Sequence, residues 1–215
     1  MEAAKILEEI TRQVQTCEKC ELHFSRKKAV PGEGPADASI MLIGEGPGFF
    51  ENEQGRPFVG QAGKFLDELL QKAGLQRRDV FITNVVKCLP PSNRDPLPAE
   101  LQACGAYLEQ QIESINPQII VTLGRFSMAR FLPNARISEI HGQSSTVRGR
   151  LIVPMYHPAA ALHQPSLKST VEQDFARLPE FIEQARSSTP PTADASDSAS
   201  DQSPADDKPT QLSLF

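Results

Sequence analysis

Four short apolar runs, separated by segments with helical periodicity, constrain the fold of this chain more than any other feature. The runs are predicted to be buried strands and occupy residues 39–43, 80–86, 117–123 and 151–156. Strands that alternate with helices along a chain form a parallel sheet with helices on both faces. The sequence therefore predicts an α/β protein, with a four-stranded parallel sheet in a three-layer α/β/α fold.

The helices between these strands are predicted from apolar residues at helical spacing and from residues typical of helix ends. The first, over residues 2–16, has one apolar face. Pro98 stands at the start of a helix over residues 99–115, where its missing N–H costs no hydrogen bond. Further helices are predicted over residues 63–73 and after Gly124.

A glycine-rich turn, GEGPG at residues 44–48, follows the first predicted strand. Glycines without Cβ atoms let a flat ligand approach the backbone, although a purely structural turn is the commoner reading of such a motif. The spacing differs from the dinucleotide fingerprint, and Pro47 fixes φ within the turn, so a phosphate-binding loop is disfavoured. Asn84 and His157 fall near the carboxyl ends of two other strands, where parallel sheets bind ligands. A shared ligand site is predicted there.

The four cysteines indicate metal or redox chemistry. No apolar stretch is long enough to span a bilayer, and residues 1–16 lack a signal-peptide pattern. We therefore expect a protein of the cytoplasm, where disulfides are rare, with no membrane partner. A monomer is expected. Cys17 and Cys20 form a C-x-x-C pair, Cys88 follows the second strand and Cys104 lies in the next helix. From this spacing a zinc ion, an iron–sulfur cluster and unliganded thiols all stay open.

Charge is distributed unevenly along the 215 residues. From Ser187 onward the chain carries five aspartates and one lysine, so this tail accounts for most of the formal net charge of −5. The remainder is close to neutral, and the acidic total does not exclude a nucleic-acid partner. Basic residues that could contact phosphates occur at residues 26–28, Arg56, Lys87, Arg94, Arg148 and Arg150. The alternative is that these residues only form a solvated surface.

The C-terminal segment has two parts. Residues 187–210 consist almost wholly of Ser, Thr, Ala, Asp and Pro and are predicted to be a disordered acidic linker after a domain over residues 1–186. Residues 211–215, QLSLF, return abruptly to apolar side chains and resemble the bacterial sliding-clamp-binding pentapeptide, with anchors at Gln211, Leu212, Leu214 and Phe215. Packing of this terminus against the domain is the alternative.

Several motifs in one order resemble the family 4 uracil-DNA glycosylases, the thermostable-type enzymes that carry an iron–sulfur cluster. The matching features are the four cysteines together with GEGPG at 44–48, QGRPFVG at 54–60, ITNVVKC at 82–88 and HPAAAL at 157–162. The resemblance covers roughly residues 2–185. It implies a uracil-DNA glycosylase-like fold, uracil-containing DNA as the partner, and a [4Fe-4S] cluster held by Cys17, Cys20, Cys88 and Cys104.

Two departures from related families refine this resemblance. The GQDPYH motif of the family 1 enzymes is absent, and Glu45 stands about where their water-positioning aspartate falls. Residues 89–100 contain no histidine, which favours hydrolytic turnover over the covalent capture of other relatives. Phe49 and Phe50 occupy positions where some members of the family carry acids, whereas Glu51 keeps the third acidic position.

The resemblance implies a role for each pocket residue. Phe58 would stack on the base, and the Asn84 carboxamide would donate to uracil O4 and accept from N3–H. His157 would donate to O2, where negative charge develops. Glu45 would polarise water and stabilise the cationic sugar while Glu51 blocks thymine, although these two roles could be exchanged. The backbone that wraps the base belongs to Gly44, Glu45, Gly46 and Gly48.

Strand separation and DNA contact are assigned to segments around the last predicted strand. Leu162, or Ala161, would wedge into the vacated base stack. Phosphate contacts are expected from His141, Gln143, Arg148 and His163. The function predicted is a monofunctional uracil-DNA glycosylase of base-excision repair associated with the bacterial nucleoid. The alternative is a non-catalytic, metal-stabilised module that binds damaged DNA.

Overall fold

A five-stranded sheet forms the centre of the computed structural model, which describes residues 2–188. The strands are β1 Ile40–Gly44, β2 Phe81–Asn84, β3 Ile119–Leu123, β4 Ser145–Val147 and β5 Arg150–Met155. Their order across the sheet is β2-β1-β3-β5-β4, and the first four are mutually parallel. The predicted α/β class is therefore confirmed.

The prediction of four strands was wrong, because β4 adds a fifth at the edge, antiparallel to β5. The turn between them consists of Arg148 and Gly149, whose φ angles are +49° and +77°. Positive φ at both central residues is what a tight two-residue hairpin of this kind requires. Strand β4 has only three residues, two of them polar, so it carries no apolar run from which it could be predicted.

The α-helices connect and cover these strands. Within the described residues they are α1 Glu2–Gln15, α2 Leu22–Ser25, α3 Phe49–Gln54, α4 Gln61–Lys72, α5 Pro98–Ile115, α6 Arg125–Ala129, α7 Ile137–Ile140, α8 Pro158–His163, α9 Lys168–Ala176 and α10 Leu178–Ser188. The helices predicted from the sequence are confirmed, with Pro98 as the first residue of α5. None of the helices described has the length and apolar character needed to cross a membrane.

Alternate side chains of each parallel strand pack into different cores, which makes the three layers. Leu42, Val121 and Val153 lie in one core with apolar residues of α4, α9 and α10. Met41 and Ile120, on the other face, pack with α5. Since both faces are covered, the strands are apolar at nearly every position. The parallel strands bring their carboxyl ends to one edge of the sheet.

A third, smaller core joins α1 to α5 and contains the cysteines. Ile10 and Val14 of α1 are 1% exposed and pack with Leu22 and Tyr107. Cys88 and Cys104 are buried in this core, and Cys17 and Cys20 pack against it. The predicted clamp-binding peptide and residues 189–210 of the predicted linker lie outside the described residues. Residues 187 and 188, which the prediction placed in the linker, belong to α10.

Candidate active site

A cavity of about 430 Å³ opens beside the carboxyl ends of the parallel strands. It is lined by Glu45, Gly46, Pro47, Gly48, Glu51, Phe58, Ala62, Asn84, Pro90, Asn93, Arg94, His157, Ala159 and His163. Every residue that the sequence analysis assigned to uracil binding is therefore in its wall, except Gly44. That glycine is the last residue of β1 and pairs with Asn84 of β2.

Gly44 leaves space for the two side chains that lie over it. A Cβ atom at this position would lie 2.3 Å from Oδ1 of Asn84 and 2.8 Å from the ring of Phe58. Contacts this short would force both side chains to move. Close approach therefore explains the glycine at the end of β1, in addition to any contact between the backbone and a ligand.

Asn84 presents an unused acceptor at the cavity. The residue is 1% exposed, and its buried Oδ1 accepts no hydrogen bond from any described residue. A buried polar atom without a partner costs about 1–3 kcal/mol, so such atoms in folded proteins are commonly reserved for a ligand or a water. A donor group of a molecule bound in the cavity would satisfy this oxygen.

His157 is held as a neutral ring whose free nitrogen carries the proton. Its Nδ1 accepts a hydrogen bond from the backbone N–H of Ala159 at 3.1 Å, at the start of α8. The proton of the neutral ring must then reside on Nε2. Burial lowers the pKa of His157 to about 4, and the Glu51 carboxylate only partly opposes this shift. The site thus contains a neutral N–H donor at physiological pH.

Glu51 ties together the two loops that form the pocket wall. Its Oε1 accepts from the N–H groups of Val59 and Gly60, at 2.8 and 2.9 Å, and its Oε2 accepts from Gly48 at 3.1 Å. Both carboxylate oxygens are therefore occupied by backbone donors. The sequence did not reveal this bridging role, for which a glutamate three residues after an N-capping glycine is the only local signal.

Phe58 lies over His157 in an unusual backbone conformation. The two rings are 5.4 Å apart between centroids and nearly parallel, at 24°. Phe58 has a φ of +51°, which is rare for a bulky residue. Arg77 supports it by donating to the Phe58 carbonyl at 3.0 Å, and Gly63 packs so close that a Cβ there would lie 1.8 Å from that oxygen. These contacts hold the strained backbone in place, and the aromatic ring is thereby fixed in the pocket wall.

Glu45 is the pocket carboxylate that is free to act on a ligand. None of the described residues hydrogen-bonds to its side chain, in contrast to Glu51. Burial raises the pKa of Glu45, and the nearby Asp95 raises it further while Arg125 opposes the shift. The two acids that the sequence left interchangeable therefore differ in environment, with Glu51 bound by the backbone and Glu45 unbound.

Two of the four cysteine sulfurs, those of Cys88 and Cys104, accept hydrogen bonds. Arg26 Nη1 donates to Sγ of Cys88 at 3.6 Å, and the backbone N–H of Lys87 donates to Sγ of Cys104 at 3.4 Å. Burial raises the pKa of the Cys88 thiol and raises that of Cys104 to about 11. All four cysteines are free of disulfides. No three of the described His, Cys, Asp or Glu side chains are placed to hold a single metal ion.

Four cysteine thiols in and against an apolar core are a donor set that suits an iron–sulfur cluster. A cubane separates its four thiolates by the irons and sulfides between them, so its ligands need not converge as closely as those of zinc. An apolar surrounding with N–H donors aimed at sulfur is also the environment in which such clusters are held. The residues present are therefore compatible with that group in their chemistry.

Most of the basic residues considered for phosphate contact are already paired. Lys87 is 1% exposed, so the prediction that it contacts phosphates was wrong. Burial lowers the pKa of Lys87 to about 7, an effect that the neighbouring Cys104 opposes. Arg56 pairs with Glu33 at 2.8 Å. Arg94 makes two hydrogen bonds, at 2.9 and 2.6 Å, to the carboxylate of Glu100.

The residues assigned to DNA contact fall in three places. Leu162 and His163 lie on α8 beside the cavity, and Leu162 is 45% exposed whereas Ala161 is buried. His141 instead pairs with Asp174 at 2.8 Å, and Gln143 bonds to the carbonyl of Glu139. Arg148 lies in the β4–β5 turn, at the amino end of β5, where it lines a separate cavity with Arg130 and Arg150. The structure does not bring Arg148 to the pocket.

Comparison with known sequences identifies the class of protein to which this fold and pocket belong. The family model described as the uracil DNA glycosylase superfamily matches residues 31–178, so the chain belongs to that superfamily. Within it, the chain belongs with the type-4 uracil-DNA glycosylases. It is 45% identical to the type-4 enzyme of Archaeoglobus fulgidus, over 81% of this chain and 92% of the relative. It is 47% identical to the type-4 enzyme of Saccharolobus solfataricus, over 87% of this chain and 90% of the relative. It is 42% identical to the type-4 enzyme of Thermotoga maritima, over 83% of this chain and 95% of the relative.

Proposed function

We propose that this protein hydrolyses the N-glycosidic bond between uracil and deoxyribose in DNA, the first step of base-excision repair. The observation that carries the proposal is the unpaired, buried Oδ1 of Asn84 in a cavity that also contains the neutral His157. The membership of the type-4 family supports the same activity. The deoxyuridine must leave the base stack for its base to enter this cavity.

Uracil recognition rests on Asn84 and Phe58. The unpaired Oδ1 of Asn84 accepts from N3–H of uracil, and its amide N–H donates to O4. Cytosine presents an amino group in place of O4 and an acceptor in place of N3–H, so the same site would leave its polar groups unpaired. The ring of Phe58, fixed against His157, stacks on the base. The backbone of Gly46 and Gly48 encloses the remaining edge.

Bond cleavage rests on His157 and Glu45. As the glycosidic bond breaks, negative charge moves onto uracil O2, and Nε2–H of His157 donates a hydrogen bond that strengthens with that charge. The sugar becomes oxocarbenium-like, and the Glu45 carboxylate stabilises it and orients the attacking water. Glu51 holds the walls of the pocket in register through its three backbone hydrogen bonds. Its position in the wall is also compatible with the exclusion of thymine.

A single-uracil oligonucleotide tests this function. The purified protein should release free uracil and leave an alkali-labile abasic site, without cutting the strand itself, since a monofunctional enzyme forms no Schiff base. An otherwise identical oligonucleotide with cytosine or thymine is the control. Tight binding to uracil-containing DNA without any release would instead support the alternative, a non-catalytic module that binds damaged DNA.

The acid limb of the pH profile should belong to Glu45. Because burial and Asp95 raise the pKa of Glu45 above the ordinary value of a glutamate, the rate should fall as Glu45 takes up a proton, while His157 stays neutral down to about pH 4. Glu45→Gln should be slower and should lose this limb, since an amide does not titrate. Asp95→Asn should move the limb to lower pH in single-turnover assays. A limb that persists in Glu45→Gln would contradict the assignment.

We further propose that Cys17, Cys20, Cys88 and Cys104 hold a [4Fe-4S] cluster. The cluster would link the segment after α1, the loop after β2 and helix α5, and this cross-link is its contribution to the enzyme. The apolar core around the sulfurs and the donors Arg26 and Lys87 support the proposal. Catalysis itself is assigned to pocket residues alone.

Helix α8 is proposed to contact the DNA around the extruded nucleotide. Leu162 is an exposed apolar side chain beside the cavity, as a residue that fills a vacated base stack must be. His163 follows it in the cavity wall and would contact a phosphate. Phosphate contact by Arg148 would require the DNA to reach the opposite end of β5, so Leu162 and His163 are the better supported pair.

The last five residues are proposed to bind the polymerase sliding clamp, which would hold the enzyme at newly replicated DNA in the bacterial nucleoid. Leu214 and Phe215 would supply most of the affinity, at about 1.5–3 kcal/mol for each fully buried side chain. Deletion of residues 211–215 should abolish clamp binding, measured by surface plasmon resonance, without changing uracil release from a short oligonucleotide. The free pentapeptide should compete with the parental protein. Equal loss of activity on free DNA would show that these residues belong to the folded domain.

A further inference from the structure

A buried lysine lies directly behind the uracil-reading asparagine and takes no part in the mechanism above. The Nζ atom of Lys87 donates three hydrogen bonds. Its acceptors are the carbonyl oxygen of Asn84 at 2.9 Å, Oγ1 of Thr83 at 2.6 Å and Oε1 of Gln111 at 2.7 Å. Three acceptors around one nitrogen match the three N–H groups of an ammonium. All four residues are buried, at 2% exposure or less.

The network continues beyond the lysine in two directions. Gln111 of α5 and Thr83 of β2 both donate to the carbonyl of Pro31, at 2.7 and 3.0 Å. The backbone of Lys87 donates to Sγ of Cys104 at 3.4 Å and accepts from the N–H of Val30 at 2.7 Å. A single residue therefore joins the end of β2, helix α5, the loop at residues 30 and 31 and the cysteine core.

The side chain of Asn84 needs such support from behind, because its Oδ1 has no partner among the described residues. Its amide plane is not fixed by a hydrogen bond to that oxygen, so the position of its backbone decides where the carboxamide faces. That backbone is held on one side by its pairing with Gly44 and on the other by Lys87. We propose that Lys87 is a positioning residue for uracil release, which holds the Asn84 carboxamide in place through the Asn84 carbonyl. This inference rests on the proposed function.

An apolar side chain of similar size could not replace this contact. Methionine would fill the space but would leave the acceptors on Asn84, Thr83 and Gln111 without their common donor in a site that water does not reach. The end of β2 would then shift to find other partners. Displacement of a recognition group by about 1 Å costs on the order of a hundredfold in rate.

A double-mutant cycle separates positioning from general damage. We expect Lys87→Met to lower the single-turnover rate of uracil release about tenfold to a hundredfold. Affinity for uracil-containing DNA, measured by anisotropy, should change less than about twofold, because DNA is held mainly through phosphate contacts at the surface. The double variant Asn84→Ala/Lys87→Met should be no slower than Asn84→Ala alone, since the effect of the lysine passes through Asn84.

Thr83→Val keeps the shape of its side chain and removes one acceptor of Lys87, so it tests the same network if Lys87→Met does not fold. It should slow release about fivefold and should also add nothing to Asn84→Ala. A parental rate of uracil release in whichever variant folds would overturn the inference. It would also be overturned if the loss of rate in the double variant equalled the product of the losses in the two single variants. Uracil release by the parental protein is measured in the same assay. A failure of the proposed function is thereby distinguished from a failure of this inference.

Discussion

Uracil release should fall at least about tenfold, and up to about a thousandfold, when either Asn84 or His157 is replaced by alanine, the range expected for losing a positioned donor in a transition state. In the proposed mechanism, Asn84→Ala would remove the acceptor for N3–H together with the donor to O4. His157→Ala would remove the proposed donor to O2, where the leaving group gathers charge. Single-turnover rates on a single-uracil oligonucleotide measure the chemical step, and anisotropy measures DNA binding, which should change little.

Asn116→Gly is the matched control for the asparagine variant. Asn116 follows the end of α5 with a φ of +49°, which glycine adopts without strain, and it lies before β3 at the end of the sheet away from the pocket. This variant should release uracil at the parental rate. Parental rates in both pocket variants would refute the assigned pocket, and a loss of DNA binding equal to the loss in rate would point to unfolding.

The parallel strands and the convergence of the pocket were predictable because both depend on regular patterns. Strands buried on two faces are apolar at nearly every position, so β1, β3 and β5 stand out in the sequence. Parallel strands also bring their carboxyl ends to one edge, so residues distant in sequence, Asn84 and His157, were expected to meet there. Strand β4 carries neither signal, because its three residues only complete a hairpin.

The contacts of Glu51 and Lys87 were not predictable, since each depends on how a loop or a neighbouring helix folds back onto the residue. Glu51 was expected to face the base, yet its oxygens bind the backbone of Val59 and Gly60, which only the folded loop brings near. Lys87 was grouped with surface cations because lysine is almost never fully buried. Its burial is stabilised by acceptors from β2 and α5 together. Sequence patterns indicate which residues are buried or exposed and at what spacing apolar residues repeat. These contacts instead arise from the packing of three elements.

The cysteine ligands should matter more for the folded state than for the chemistry. The purified protein should be brown and contain about four irons per chain. Cys88→Ala should lose the visible absorption and the iron. A cross-link that closes a loop of roughly 70 residues, as between Cys20 and Cys88, contributes about 4 kcal/mol by chain entropy, so the melting temperature should fall by about 10 °C or more.

Tyr107→Phe is the matched control for the cysteine variant, because it alters the same core without removing a ligand. Tyr107 packs with the cysteines and is 3% exposed, and burial raises the pKa of its hydroxyl. The phenylalanine variant should keep its iron and its colour. Whatever fraction of Cys88→Ala folds should still release uracil, since no cysteine lines the cavity. Colourless, zinc-loaded parental protein with full activity would exclude the cluster, whereas inactive but stably folded Cys88→Ala would assign the cysteines to the chemistry.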